Sequence, residues 1–332
     1  TINYFLYPST EIKGLMTGNT DQSHINLGQS EVHTAFDPHF QDRYYGKEIQ
    51  LILRQFLGEP LFEILEIGLS VMYSKTWQKQ GHRYWAKHII EADNSINLTQ
   101  LLDPNQSPYY STLMVEALAA SFTEYLLSYW GKEKFLKQYK SWKPQSGELK
   151  ALNDQWWTWV KARGNKMDFT VDQVELPNLK GFNFTHEGYQ IYNGYGSVLS
   201  AESMKRVKQL GANAVAVVPY SWMRDPGIPT ILRFSDRAGS ENDEGVIHTI
   251  SQAKRHGMIT LLKPHVWISG GWPGEVEMQS ESDWDLFFDQ YYQWISHYAL
   301  MAEMYNVEAL CIGVEFSKAT AVSYTHLTLP TM

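Results

Sequence analysis

Four short apolar runs separated by three helical segments, between Leu179 and Val314, constrain this chain more than any other feature of it. Lys180–Thr185 reads as the first strand. A helix from about Ala201 ends at Gly211 and feeds Ala212–Val218, a nearly unbroken run of small and β-branched residues of the kind expected in a strand buried on both faces. A second helix, marked by Val246, Ile247, Ile250 and Ala253, ends at Gly257 before Met258–Leu262. The third carries Trp284, Phe287, Phe288, Tyr291, Ile295, Tyr298 and Ala302 at helical spacing, which makes them packing residues, and leads into Val307–Val314. Gly211 and Gly257 stand where a left-handed helix C-cap belongs, a conformation that glycine adopts cheaply. The alternation predicts an α/β fold, a parallel sheet with helices outside it.

A doubly wound sheet and a (β/α)8 barrel both fit four such units. A nucleotide-binding doubly wound fold places a glycine-rich phosphate turn after its first strand; Thr185-His186-Glu187-Gly188-Tyr189 stands there instead. Polar and aromatic residues gather just past each strand: His186 and Glu187; Tyr220, Ser221 and Trp222; His265 and Trp267; Glu315. Barrel enzymes build their sites at that face. The expected fold is therefore a (β/α)8 TIM barrel, read as truncated after strand 4. His186-Glu187 does not open a helical zinc motif, because Gln190 stands where the second His is needed.

The preceding region reads as mainly helical. Ile49, Ile52, Leu53 and Phe56 recur at helical spacing, as do Leu118, Phe122, Tyr125 and Tyr129; Gly131 fits just past the second set, Pro144 closes the region, and Trp156, Trp157 and Trp159 lie on one further helix. The expected organisation is a mainly helical domain over 1–163, a linker over 164–178, half a barrel over 179–320 and a non-native tail over 321–332. Ser323–Thr331 resembles translated sequencing-adapter DNA, with a short terminal strand as the alternative, and no function is expected from Ala321 onward. The chain opens at Thr1 without a charged-then-apolar leader, which fits a cleaved signal peptide or a missing start.

Composition narrows the function classes. With 43% hydrophobic and 14% aromatic residues the chain is neither disordered nor collagen-like. A net charge of −8 argues against a nucleic-acid partner, which requires a basic surface. No apolar run approaches the roughly 18 residues of a membrane span, and the single cysteine, Cys311, excludes an internal disulfide framework and a cysteine-based zinc module.

Five motifs then occur in order: Gly181-Phe182-Asn183-Phe184, Gly211-Ala212-Asn213-Ala214-Val215, Leu262-Lys263-Pro264-His265, Gly271-Trp272-Pro273-Gly274-Glu275 and Ile312-Gly313-Val314-Glu315. Together they resemble the first half of a barrel of glycoside hydrolase family 113, a clan A family known for β-mannanases, over about residues 179–318. The family usually has Thr where Val314 stands. The resemblance implies that Glu315 is the general acid/base of a retaining glycosidase, protonating the leaving oxygen and later deprotonating water. On its own terms Glu315 follows an apolar strand, where a carboxylate is costly unless it faces a polar cleft; the alternative is a helix N-terminal Glu that helps to cap the next helix. Lys263 and His265, two apart on one strand, point to the same side and suit sugar hydroxyls and a carboxylate. The alternatives are a buried Lys–Glu pair and a His265 satisfied by backbone. Tyr220, Trp222, Trp267 and Trp272, read as lying in loops after strands, can stack on sugar faces or anchor those loops. Asn183 completes the expected substrate-binding set. A retaining mechanism needs a second carboxylate about 5 Å from the first. The resemblance places it on a seventh strand, outside this chain, so the chain as given is expected to be inactive.

The segment Tyr44-Tyr45-Gly46-Lys47-Glu48-Ile49-Gln50-Leu51, then Ile67-Gly68-Leu69-Ser70-Val71 and the helix from Glu116 to Tyr139, resemble a gluzincin-type, peptidase MA-like domain. Its zinc-binding positions are replaced: Lys47 and Leu51 occupy the His positions and Ile67 the third ligand's, Glu48 remains, and Glu66 lies one position out of register. A cation and two aliphatic side chains cannot hold Zn²⁺. His82 and His88 are too far apart for one helical turn and read as surface residues. A metal-free scaffold is expected, with no cofactor anywhere in the chain. Three functions follow in order: a retaining hydrolase of β-mannan or a related β-linked polysaccharide, a non-catalytic polysaccharide- or partner-binding pseudoenzyme, and an active metallopeptidase, which lacks its ligands. Export to the periplasm or the outside of the cell suits an enzyme acting on a polymer.

Overall fold

The computed structural model describes residues 1–36, 46–74, 77–92, 96–105, 109–169, 175–185, 190–235 and 239–322. His186 and Glu187, Tyr44 and Tyr45, and the adapter-like Ser323–Thr331 lie outside the described residues. The chain divides into two units, Thr1–Tyr7 with Ser23–Val171, and Pro8–Gln22 with Asp172–Thr331. Among the described residues no helix is long and apolar enough to cross a membrane.

The first unit holds a three-stranded sheet that the helical reading of this region did not anticipate. Strand β1 (Asn3–Tyr7) runs parallel to β3 (Glu31–Ala35), which pairs antiparallel with β2 (Ser23–Asn26). Helices α2 (Lys47–Phe56), α3 (Glu63–Tyr73), α4 (Gly81–Glu91), α5 (Leu98–Leu102), α6 (Thr112–Trp130), α7 (Lys132–Gln138) and α8 (Ser146–Lys161) follow, α1 (Thr10–Thr17) belonging to the second unit. The core forms where α3, α4 and α8 pack on α6, around Leu65, Leu69, Trp85, Leu118, Phe122, Leu126 and Trp156. On α2 the apolar spacing misled: Ile52 and Phe56 are exposed and Leu51 is the buried residue. Tyr129 is likewise exposed. His82 is not a surface residue, its side chain being 12% exposed with Nε2 3.1 Å from Glu124 Oε2, and His88 stacks on Tyr84 and meets Trp85 and Phe169 edge-on.

Gly68 sets how closely α3 and α6 approach. A Cβ there would stand 2.1 Å from Thr123 Oγ1 and 2.4 Å from the backbone oxygen of Ala119. Gly68→Ala is expected to destabilise this unit by about 1–3 kcal/mol, the usual range for overpacking. A thermal melt lowered by several degrees checks it; an unchanged or raised midpoint means the helices part without cost.

The second unit opens with α1 (Thr10–Thr17), capped by the Ser9 side chain. Glu11 Oε2 accepts the main-chain N–H of Val198 at 2.7 Å, at the start of α9 (Val198–Gln209), where the helix dipole favours a carboxylate. Strands β4 (Gly181–Phe184), β5 (Ala214–Val217), β7 (Ile259–Leu262) and β9 (Ala309–Leu310) form one parallel sheet in that order. Beyond it, β6 (Tyr220–Met223) pairs in parallel with β8 (His265–Ile268). Helix α10 (Asp243–Arg255) packs on β5 and β7, and α11 (Glu281–Met304) lies beside β9. Gly211 and Gly257 adopt φ of 88° and 61°, as a left-handed C-cap requires. Phe287, Tyr291, Ile295, Tyr298 and Ala302 are buried packing residues, while Trp284 and Phe288 are partly exposed and stack on each other. The fold is thus mixed α/β with parallel strands and helices between them.

Candidate functional site

The expected site residues divide into two groups at the C-terminal ends of the parallel strands. Asn183 and Lys263 share one face of the larger sheet. The register Asn183↔Ala216↔Leu261 puts residues 183, 216 and 261 in line, and Lys263 follows two positions on. Lys263 Nζ reaches Asn183 Oδ1 at 3.4 Å, across the intervening strand. The partner of Lys263 is thus an amide and not the buried glutamate that a purely structural pairing requires.

The second group stands on the β6–β8 pair. Pro219 and Pro264 interrupt the strands, yet the ladder continues past them, with His265 N donating to Pro219 O at 2.9 Å. Tyr220, Trp222 and Trp267 are therefore strand residues, which corrects their reading as loop residues, and His265 opens β8. Lys263 lies between β7 and β8, so it and His265 are not on one unbroken strand. Alternation does the sorting: Ser221, Met223, Val266 and Ile268 are buried, while Tyr220, Trp222, His265 and Trp267 share the open face. Their rings meet edge-on or tilted, Tyr220 with His265 at 5.5 Å, Tyr220 with Trp267 at 6.3 Å and Trp222 with Trp267 at 6.0 Å between centroids. Trp222 and Trp267 keep about half their surface open, at 52% and 50%.

Glu315 closes this group. Strand β9 is only two residues long, so Glu315 does not follow directly on a strand but sits in the loop beyond it. Its backbone has φ of 63°, in the left-handed region that a non-glycine residue enters only when surrounding contacts hold it there. Its Oε2 accepts the indole N–H of Trp272 at 2.6 Å, and its Oε1 lies 4.0 Å from His265 Nε2. The carboxylate side chain is about half exposed, at 49%, and its oxygens meet an indole and an imidazole instead of a helix N-terminus. Burial pushes the His265 imidazole below its ordinary value; the Glu315 charge opposes this and the Lys263 ammonium adds to it. Burial also raises the Tyr220 phenol, with the charges of Glu241 and Glu315 pushing the same way, so Tyr220 is a hydrogen-bond donor throughout the neutral range.

Two residues here were not singled out from sequence. Glu241 is buried just before the N-cap of α10, where a carboxylate reads as an ordinary helix start, yet its charge bears on Tyr195, Tyr220 and Tyr298. Tyr195 ties strand ends together: its hydroxyl donates to Phe184 O at 2.5 Å and accepts from Val218 N at 3.1 Å. Nothing in a lone loop tyrosine announces that role. Among the described residues no group of three or more His, Cys, Asp and Glu side chains is placed to hold a metal ion.

In the N-terminal unit one of the residues read against a zinc-site pattern, Glu66, has other partners. Glu66 is fully buried, ion-paired with Arg54, and accepts from Gln50 Nε2 at 2.6 Å. Burial raises the Glu48 carboxyl above its ordinary value, against a backbone hydrogen bond that lowers it.

Comparison with known proteins finds likenesses over part of the chain. Residues 184–326 match the model of Glycoside Hydrolase Family 113. The chain is similar to a complex of a GH113 β-1,4-mannanase, with 24% identity over 43% of this chain and 46% of that one, TM-score 0.36. It is also similar to the GH113 β-mannanase AaManA from Alicyclobacillus acidocaldarius in complex with ManMIm, with 24% identity over 42% and 44%, TM-score 0.37. A further GH113 β-1,4-mannanase structure has 24% identity over 43% and 48%, TM-score 0.37. The chain thus spans less than half the length of each of these structures. No curated protein matches it.

Proposed function

We propose that the barrel unit belongs to a retaining glycoside hydrolase acting on β-mannan or a related β-linked polysaccharide, with Glu315 as its general acid/base. The observation that carries this reading is Glu315 itself. It is a half-exposed carboxylate at a strained backbone position, held by Trp272 and facing His265, at the strand ends of a region that matches a glycoside hydrolase family. Trp222 and Trp267 offer rings for the apolar faces of sugars, while Tyr220, His265, Lys263 and Asn183 supply polar groups for hydroxyls. Such a mechanism also requires a nucleophilic carboxylate about 5 Å from Glu315. The resemblance assigns that group to a seventh strand outside residues 1–332, so the assay belongs to the full-length protein. It is expected to release oligosaccharides from β-1,4-mannan with the β-anomer formed first. Failure to cleave mannan, glucan or xylan overturns the reading.

The open Trp222–Trp267 pair favours a second reading for the 332-residue chain, polysaccharide binding without turnover. Retardation in a mannan affinity gel, lost in Trp222→Ala/Trp267→Ala, supports it. The N-terminal unit is read as a metal-free, peptidase-like scaffold, a reading supported by the engagement of Glu66 with Arg54 and Gln50.

A further inference from the structure

Trp272 was expected to present its ring to a sugar, yet its polar edge is already occupied. The indole N–H is a donor without acceptor capacity, so the atom it meets, Glu315 Oε2, must accept. With Oε2 engaged, a proton carried by this carboxyl resides on the other oxygen, Oε1, which faces His265. The indole thus does more than hold a rotamer; it distinguishes the two oxygens of the acid.

The ring reaches this place because of Gly274. A Cβ at that residue would stand 2.3 Å from Cζ3 and 2.4 Å from Cη2 of Trp272, so the six-membered ring lies directly against the main chain there. Any side chain at residue 274 displaces the indole. The same glycine tethers the Glu315 loop, since its carbonyl oxygen accepts the main-chain N–H of Lys318 at 3.4 Å. Carboxylate, indole and the turn beneath them form one connected unit.

We propose that Trp272 is the positioning residue of Glu315, holding Oε2 with its indole N–H so that the transferable proton sits on Oε1, and that Gly274 is the position whose missing side chain lets the ring lie there. This rests on the reading of Glu315 as general acid/base.

In the full-length protein Trp272→Phe keeps a ring against Gly274 and deletes the N–H. It is expected to lower kcat on mannan about 10- to 100-fold, as loss of a hydrogen bond to a charged group would, with KM unchanged within about threefold. On an aryl mannoside with a good leaving group, whose departure needs little protonation, the first-turnover release of the phenol stays within about threefold of wild type. Gly274→Ala, which retains the indole but moves it, is expected to give the same loss confined to the poor leaving group. A raised KM at unchanged kcat makes Trp272 a stacking platform and overturns the proposal. Equal losses on both substrates, as from misfolding or a displaced cleft, overturn it as well. Glu315→Gln separates this inference from the reading beneath it. If that variant cleaves mannan at the wild-type rate, the acid/base assignment itself fails. If it is inactive while Trp272→Phe is unimpaired on mannan, only the positioning role fails.

Discussion

Mannan hydrolysis by the full-length protein is expected to fall about 10²- to 10⁴-fold in Glu315→Gln, the usual worth of general acid–base catalysis, while substrate binding stays nearly intact. Gln is close to isosteric with Glu, and its amide oxygen can still accept the indole N–H that now meets Oε2. The cleft therefore keeps its shape, but an amide has no proton to give to the leaving oxygen. His265 does not substitute for it. Burial pushes this imidazole below its ordinary value, which favours the uncharged ring over a proton-donating imidazolium. Aryl glycosides with good leaving groups need less protonation, so their first step suffers much less. Added azide then partly restores turnover, because a small anion attacks the glycosyl-enzyme without help from a general base. Wild-type activity in Glu315→Gln removes the acid/base assignment. A variant that no longer folds shows that the carboxylate was there for the left-handed turn it occupies.

What the sequence disclosed, and what it hid, follows the range of the interactions involved. The larger parallel sheet was legible because its strands are apolar runs and two of them, β5 and β7, directly follow helices closed by Gly211 and Gly257, signals contained within a few residues of one another. The extension into β6 and β8 was obscured by Pro219 and Pro264, which read as strand ends because proline cannot donate to a ladder. The alternation that follows each of them, open Tyr220 and Trp222 against buried Ser221 and Met223, was present in the sequence as period two. The N-terminal sheet gave no comparable sign. Tyr4, Phe5 and Leu6 are consecutive apolar residues, all substantially exposed, and the parallel partner of β1 lies about 28 positions away in sequence. At the site, motif order singled out Glu315, Trp272 and His265. That the indole would turn its N–H to the carboxylate depends on Gly274 and on the backbone angle of Glu315, neither of which a residue pattern specifies.

The second large effect belongs to the N-terminal unit, where Arg54→Met is expected to cost about 3–5 kcal/mol, the range for removing one partner of a buried ion pair. Glu66 is fully enclosed between α2 and α3, and Arg54 on α2 supplies its charge partner. The guanidinium is itself partly desolvated, which weakens its charged form, but hydrogen bonds to Glu59 and Glu66 outweigh this and hold it above its ordinary value. Remove it, and Glu66 keeps a single amide donor, Gln50 Nε2 at 2.6 Å, in a site without water access. The pair as a whole is a different matter. Two desolvated charges recover little more than they lose, so Arg54→Met/Glu66→Leu is expected to regain most or all of the stability, since an apolar pair of similar volume suits such a site. Chemical denaturation of the three proteins checks this through the coupling between the substitutions. An Arg54→Met cost below about 1 kcal/mol, or a double variant no better than the single, means that Glu66 is not paired as described. The outcome also bears on whether this unit can hold a metal through Glu66. A buried carboxylate is useful to a metal only if nothing else claims it. Here it is claimed by the Arg54 guanidinium on α2.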